Sequence, residues 1–499
     1  MRSKEKDKKI YQIIGMVGLI LTVPCFTFSQ YLNQVNETPL QFENTWAFNF
    51  ESDYLTSINT MSDSNWVQNG WNIIQFKQYD NEYNVITETR FQDSMYVYLQ
   101  GASVEFLNGA YYFSGWRREL FSASEAQGFV AKFDETGNLL WLNTYFPSID
   151  DSKISRVIVN NERIYLSGTH LNETTSIQST FLSEIDTEGN ILWTKVFDDF
   201  NLVTLINIQD VSDGLLLTCR YGTGGSNKRV ILYKLDDEGV IQWQKTYGST
   251  DSWLINNLAP YQMPDGKILL YGYTTDPVSE LFVDSWMVLT DSQGNTLKDT
   301  IFVFSSNDDH FHIHYTPPII RENDILILGY VRDNGSSPRN AFLACIDFDF
   351  NINWIRIFEN RESENRLTFL HDLGNDFYLL GGLVDDDVNY PTKDEWFVVV
   401  DSMGCDVTEC YLSLEKESSE TVSFNVYPNP ANDNINIEYL NNTNAFTTDY
   451  QIIDLNGKII QKGTVINSNI DVSPLDSGTY LVRLEQNGMY LGGKKVIIE

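Results

Sequence analysis

One aspartate recurs along this chain at almost constant intervals: Asp80, Asp134, Asp186, Asp236, Asp291, Asp347 and Asp401, separated by 54, 52, 50, 55, 56 and 54 residues. The clearest copies are Phe129-Val-Ala-Lys-Phe-Asp134-Glu-Thr-Gly137-Asn-Leu-Leu-Trp141 and Phe181-Leu-Ser-Glu-Ile-Asp186-Thr-Glu-Gly189-Asn-Ile-Leu-Trp193, with Asp236, Gly239 and Trp243 forming a third. Each copy carries an apolar run such as Lys267-Ile-Leu-Leu-Tyr-Gly272, then an alternating strand, an Asp-x-x-Gly turn and a fourth strand. A period near 50 residues with several short strands per copy predicts a seven-bladed β-propeller, because each unit buries its apolar faces only against its neighbours.

Trp141, Trp193, Trp243 and Trp354 each fall seven residues after the repeat aspartate, with Tyr145, Phe197, Tyr247 and Phe358 four residues further on. Phe91 and Phe302 keep only the second aromatic, and the copy at Asp401 runs into Cys405 and Cys410 with no fourth strand. Trp46-Ala-Phe-Asn-Phe50 has the same Trp-to-aromatic spacing without a preceding turn. Residues 45–50 are therefore expected to supply the missing outer strand of the last blade. Closure would remove the unpaired edges that invite aggregation.

The Asp-x-x-Gly-x-x-x-Trp pattern differs by one residue from the tryptophan-docking repeats of quinone-dependent dehydrogenases and by one, in the other direction, from sialidase-type Asp boxes. Asp134-Glu135 or Asp236-Asp237-Glu238 could contribute oxygen ligands to a Ca2+ loop. The competing reading is structural, with Asp capping a turn and Trp packing between blades.

The chain holds 34 Lys+Arg against 68 Asp+Glu, a net charge of −34. That balance argues against nucleic acid and anionic lipid as partners, since phosphates are held by Lys and Arg. Aromatic residues at 13% and only 13 prolines favour β structure over disorder. Arg2, Lys4, Lys6, Lys8 and Lys9 precede an apolar run from Ile13 to Val23, and Thr27-Phe28-Ser29 offers a peptidase site before Gln30. Residues 1–29 thus read as a signal peptide, and no other stretch approaches membrane length. In the oxidising compartment this implies, Cys405 and Cys410 are expected to form a small disulfide. Cys219 and Cys345 read as buried small hydrophobes, with a bridge between them left open.

From Thr421 the composition changes. Phe424-Asn-Val-Tyr427-Pro428-Asn429-Pro430 precedes the alternating Asn434-Ile-Asn-Ile-Glu438, and Asn456-Gly457 and Asn487-Gly488 are hairpin signals. About seven short strands are implied, a small immunoglobulin-like sandwich. The wording Tyr427-Pro-Asn-Pro430, Asp454-Leu-Asn-Gly457-Lys458, Leu475-Asp-Ser-Gly478-Thr-Tyr480 and Lys494-Lys495-Val-Ile-Ile-Glu499 resembles the C-terminal sorting domain (type A) of the Bacteroidetes type IX secretion system. The resemblance implies contact with the type IX translocon and sorting peptidase, export across the outer membrane, and removal of the tail with release or surface attachment. The expected layout is a signal at 1–29, a lead at 30–44, the propeller at 45–410, a linker at 411–420 and the sorting domain at 421–499.

Candidate chemistry gathers where each outer strand returns to the propeller axis. Asp53, Asp93, Asp150-Asp151, Asp198-Asp199, Asp251, Asp308-Asp309, Glu362 and Glu364 recur there, and Asp151, Asp199, Asp251 and Asp309 are the candidate ligand or cation residues. If these connections share one end of the ring they form an acidic mouth, with carboxylates able to raise one another's pKa values. Turn-forming aspartates facing solvent would leave the same pattern. His310-Phe-His312-Ile-His314 follows Asp308-Asp309, and alternate strand residues share a face, so His310, His312 and His314 are candidate Zn2+ ligands. Gly-x-Ser-x-Gly and His-Glu-x-x-His are absent, and Gly222-Thr-Gly224-Gly225 lacks a phosphate-loop setting. Together these readings predict a secreted or outer-membrane surface protein that binds a glycan or another surface protein, with Trp66, Trp71, Trp116 and Trp253 as candidate contacts. The alternative is a polysaccharide-processing hydrolase or lyase using carboxylates of the mouth.

Overall fold

A computed structural model describes residues 32–36, 42–51, 54–62, 73–119, 126–146, 151–172, 177–198, 203–222, 229–248, 256–275, 283–304, 309–312, 317–332, 338–360, 364–385, 393–406, 424–439, 448–453, 459–465, 468–486 and 489–498. The signal peptide and the linker at 411–420 lie outside these residues. Among them, no helix is long and apolar enough to cross a membrane.

The repeat region forms seven antiparallel sheets among the described residues, each following the next along the chain. The second is typical: Tyr96–Leu107, Ala110–Glu119, Gln127–Asp134 and Leu139–Tyr145 lie side by side in chain order. The sixth adds a short extra strand, Ile319–Ile320, beside Asp324–Val331. Six apolar clusters join neighbouring sheets in turn, and one of them closes the circuit between the seventh sheet and the first. The result is a propeller-like arrangement of four-stranded units.

The repeat aspartate builds the same turn seven times. At Asp134 the backbone N–H donates to the Asn138 carbonyl at 3.0 Å, and the Gly137 N–H returns to the Asp134 carbonyl at 3.0 Å. Asp134 Oδ1 accepts the N–H groups of Thr136 and Asn138 at 2.9 Å each. The same backbone pair recurs at Asp80, Asp186, Asp236, Asp291, Asp347 and Asp401. The fourth residue of the turn, three after the aspartate, has positive φ, which favours glycine. Gly239 shows a second reason: a Cβ there would sit 2.7 Å from the Trp193 ring of the preceding sheet. Trp141, Trp243 and Trp354 lie in the same way against Gly189, Gly294 and Gly404. Tyr145 and Tyr247 donate to the carbonyls of Gly189 and Gly294 at 3.0 and 2.8 Å. The turn and the tryptophan are thus two halves of one joint between sheets. Two turns replace glycine with an aromatic, Tyr83 (φ 61°) and Phe350 (φ 61°). Both follow a sheet that lacks the tryptophan, so a ring on the turn fills the space that a ring from the neighbour fills elsewhere.

Closure differs from the sequence expectation. Residues 45–50 belong to Phe42–Glu51, which pairs with Tyr54–Ser62 as the first strand of the first sheet. The strand that completes the seventh sheet is Leu32–Asn36, antiparallel to Lys393–Asp401 with Leu32 opposite Val399 and Asn36 opposite Glu395. Trp-to-aromatic spacing describes one face of any extended strand, so it could not distinguish an inner strand from an outer one. The repeat region accordingly begins in the expected lead segment.

The joint between the seventh and first sheets is polar at its centre. Glu395 and Lys77 are buried, at 0% and 2% side-chain exposure, and paired at 3.0 Å. Ser57 Oγ and Asn59 Nδ2 donate to Glu395 Oε1 at 2.9 and 3.1 Å, and the Tyr79 hydroxyl donates to Oε2. Burial alone would raise the Glu395 pKa, but the Lys77 charge and the hydrogen bonds from Tyr79, Lys77 and Asn59 outweigh it and hold the carboxyl below its ordinary value. Phe48, Leu55, Leu379, Phe397 and Val399 surround the network.

The tail forms two further sheets. One runs Phe424–Tyr427, Asn434–Tyr439, Asn469–Asp471; the other orders Ile459–Thr464, Asp449–Ile453, Gly478–Gln486 and Met489–Ile498. They share a core that includes Phe424, Ile435, Ile452, Val482, Val496 and Ile498. The Tyr427-Pro428 and Asn429-Pro430 bonds are both cis. Asn429 fastens this turn to the last strand, donating from Nδ2 to the Lys495 carbonyl at 2.9 Å and accepting the Ile497 N–H at 2.8 Å. Tyr480 donates its hydroxyl to the Asp476 carbonyl at 2.8 Å.

Candidate functional site

In these up-and-down sheets the Asp turns all lie at one end of the ring. The starts of first and third strands and the ends of second strands lie at the other. The acidic connections fall at this second end; of their described members Asp198 is exposed and Glu364 half-buried, while Asp93, Asp151 and Asp309 are tied to neighbouring chain. Asp309 is fully buried, its oxygens accepting the N–H groups of Ser285 at 3.0 Å and Phe304 at 2.9 Å. Asp151 accepts the Ala126 N–H at 3.2 Å and lies 3.4 Å from Lys153 Nζ. Asp93 accepts from Met95 and Tyr96 N–H and pairs with Arg117 at 3.2 Å. Each carboxylate secures the return of the chain into the next sheet. Asp199 and Asp251 lie outside the described residues.

The histidines are placed among aromatic rings. The His310 ring stacks on Tyr273 at 4.4 Å and meets the Tyr330 ring at 3.6 Å, while His312 lies 6.4 Å from His310. His314 falls outside the described residues, and among those described no group of three His, Cys, Asp or Glu side chains is arranged to hold a metal ion.

The grouping that sequence reading missed surrounds these rings. Arg366 donates from Nε to Glu364 Oε2 at 2.8 Å, with its Nη2 at 2.7 Å from the same oxygen. Arg332 and Arg339 stand 3.9 Å from the same carboxylate. The Arg339 guanidinium lies over the Tyr330 ring, 4.7 Å from its centroid, and its Nε is buried without a hydrogen-bond partner among the described residues. On the far side, Arg220 donates to Asn257 Oδ1 at 3.3 Å. Burial raises the Tyr273 hydroxyl pKa, while Arg220, Asn257 and Arg339 pull it down. Arg220, Tyr273, His310, Tyr330, Arg339 and Arg366 therefore form one continuous cationic and aromatic patch across four sheets. The flanking carboxylates are Glu359, which accepts from Asn340 at 2.6 Å, and Asp385, whose backbone N–H meets the Glu364 carbonyl at 3.0 Å. No linear motif marks the patch, because its members come from four repeats. The one available signal was arginine recurring at the ends of second strands, at Arg117, Arg220 and Arg332.

Of the tryptophans singled out as contacts, Trp116 is half-buried in Ala110–Glu119; Trp66, Trp71 and Trp253 lie outside the described residues. Cys219 and Cys345 are free and buried, and burial pushes each thiol up to about 12. No bridge joins them. Cys405 is disulfide-bonded, and Cys410 lies outside the described residues.

Residues 425–499 match the secretion system C-terminal sorting domain family. No curated protein is similar to the chain. Among solved structures, the extracellular domain of a hybrid two-component system from B. thetaiotaomicron is 11% identical, with a TM-score of 0.43 over 94% of this chain and 57% of the other. The Dos1 propeller is 10% identical with a TM-score of 0.41, covering 74% of this chain and 93% of that one. The propeller domain of the trilobed protease from Pyrococcus furiosus is 8% identical with a TM-score of 0.39, covering 75% and 99%. The chain spans little more than half of the first of these, and at such scores the likenesses carry no argument about activity. The C-terminal region is a sorting domain of the type IX secretion system, and it follows an all-β, propeller-like repeat region, as expected of a Bacteroidetes protein exported by that route.

Proposed function

We propose that this chain is a secreted or surface-displayed recognition protein, a closed seven-bladed propeller carried through type IX secretion by an immunoglobulin-like sorting sandwich. Its signal peptide, residues 1–29, is removed on the way, and the tail after the 411–420 linker engages the translocon and the sorting peptidase. The observation that carries the reading is a division of labour among the conspicuous residues. Repeat aspartates, glycines and tryptophans are spent on joints between sheets, and Asp93, Asp151 and Asp309 on chain returns. What remains at one end of the ring is a half-buried group of arginines and aromatic rings, Arg220, Tyr273, His310, Arg339 and Arg366, with the composition of a binding site. A glycoside hydrolase of the usual kind would use two carboxylates flanking the scissile bond, and of the candidates Asp309 is buried against backbone instead. The test is a polysaccharide and surface-protein screen of the exported chain, recording bound ligand and released reducing ends together. Saturable binding without turnover is expected; turnover would replace this reading with the enzymatic one.

A further inference from the structure

We propose that the Arg220–Tyr273–His310–Tyr330–Arg339–Arg366 patch binds an acidic saccharide, a sugar bearing carboxylate or sulfate groups. The inference rests on the recognition reading and gives its site a ligand class.

The argument begins with local charge. The chain carries a net −34, yet among the described residues Arg332, Arg339 and Arg366 gather round the carboxylate of Glu364, with Arg220 beyond Tyr273. Arg366 engages Glu364 at hydrogen-bond distance, whereas Arg339 stands 3.9 Å off, too far to donate to it. A planar guanidinium matches a carboxylate or sulfate through two parallel N–H donors. The Arg339 side chain keeps 29% exposure and lies against the Tyr330 ring; its Nε is buried, so an incoming acid would meet the outer nitrogens of the guanidinium.

The aromatic members supply the second half of the recognition. Tyr273, His310 and Tyr330 form a run of ring contacts beside the arginines, with Tyr273 and His310 half-buried and Tyr330 buried as their support. Rings with polar tips suit a ligand that is apolar on one side and hydrated on the other, as a pyranose is. The acidic remainder of the protein then limits the charge density of the ligand. Screening confines the field of a charge to about 10 Å at 0.1 M salt, so the patch acts locally. A chain of closely spaced phosphates would extend beyond the patch onto acidic surface; a sugar with one acid per residue keeps its charge at the guanidinia.

The experiment is calorimetry of the exported protein with oligogalacturonate as the carboxylate probe, chondroitin sulfate as the sulfated probe and dextran as the neutral control. Binding of either acidic probe and not of dextran is expected, the two acidic arms identifying which group is preferred. Arg339→Gln should weaken that binding at least tenfold, and Glu364→Gln, which removes the competing carboxylate, should preserve or strengthen it. Arg163→Gln at the opposite end of the ring should leave it unchanged, with melting curves confirming that all variants fold. Equal binding to dextran, no acidic binding, or an unaffected Arg339→Gln would overturn the inference. Dextran binding without cleavage would leave the recognition reading standing, whereas probe cleavage would overturn that reading instead.

Discussion

Lys77→Met probes the joint that closes the ring. The substitution keeps most of the buried stem but deletes the ammonium 3.0 Å from Glu395, in a place where the two side chains are 2% and 0% exposed. Glu395 would keep three neutral donors, Ser57, Asn59 and Tyr79, and no counter-charge. Removing one partner of a buried pair costs about 3–5 kcal/mol, because the other charge stays desolvated. At roughly 1–2 °C per kcal/mol for a unit of this size, melting should fall by about 3–10 °C. The double variant Lys77→Met, Glu395→Gln should recover most of the loss, since no charge then remains to be buried. The pH dependence adds a second signature. In the native protein Glu395 is held below its ordinary value of 4.5. Its contribution is therefore present above pH 4.5 and is lost as pH falls through the lower, folded value. In Lys77→Met burial dominates and the folded value rises above 4.5, so the destabilisation is complete at neutral pH and eases as the pH falls. The gap between the two proteins, measured by melting at intervals from pH 7.5 to 5, should narrow. A Lys77→Met loss under about 1 kcal/mol, or a gap that does not change with pH, would refute the argument.

Three further outcomes follow from the same geometry. Gly239→Ala places a Cβ 2.7 Å from the Trp193 ring at a φ of +76°, so a thermal melt should show a loss of about 2–4 kcal/mol from strain and overpacking combined. Cys219 and Cys345, with thiols pushed up to about 12, should resist iodoacetamide at pH 8 until the protein is unfolded; mass mapping without reductant should recover Cys405 joined to Cys410. Calorimetry with Zn2+ should give the same trace for the native chain and for His312→Ala, His314→Ala, because the described histidine rings pack against tyrosines; a lost high-affinity phase in the variant would restore the metal site.

The seven repeat units were legible in the sequence because the same aspartate turn recurs seven times, and at four of the joints its positive-φ glycine meets a tryptophan of the preceding sheet, so the joint leaves a period. The closing strand was not, because Leu32–Asn36 and Trp46–Phe50 are both short alternating segments and only the partner decides which edge each takes. Acidic positions were equally visible, but a carboxylate's role depends on what faces it. Asp309 turned out to face backbone amides and Glu364 three arginines. Lys77 and Glu395 carried a readable signal that was passed over. A lysine inside Ile73-Ile-Gln-Phe-Lys-Gln-Tyr79 and a glutamate beside Trp396-Phe-Val-Val-Val400 are charges in otherwise buried strands, which require each other or a similar partner.

The most direct test of the account as a whole is the fate of the chain in a host with an active type IX system. Intact protein and a form ending before residue 421 would be located by immunoblot of periplasm, cell surface and medium. The account predicts that the intact chain reaches the surface or the medium without its last 79 residues, as counted from Thr421, while the truncated form stays in the periplasm as a folded ring. Export of both forms alike, or retention of both, would contradict it.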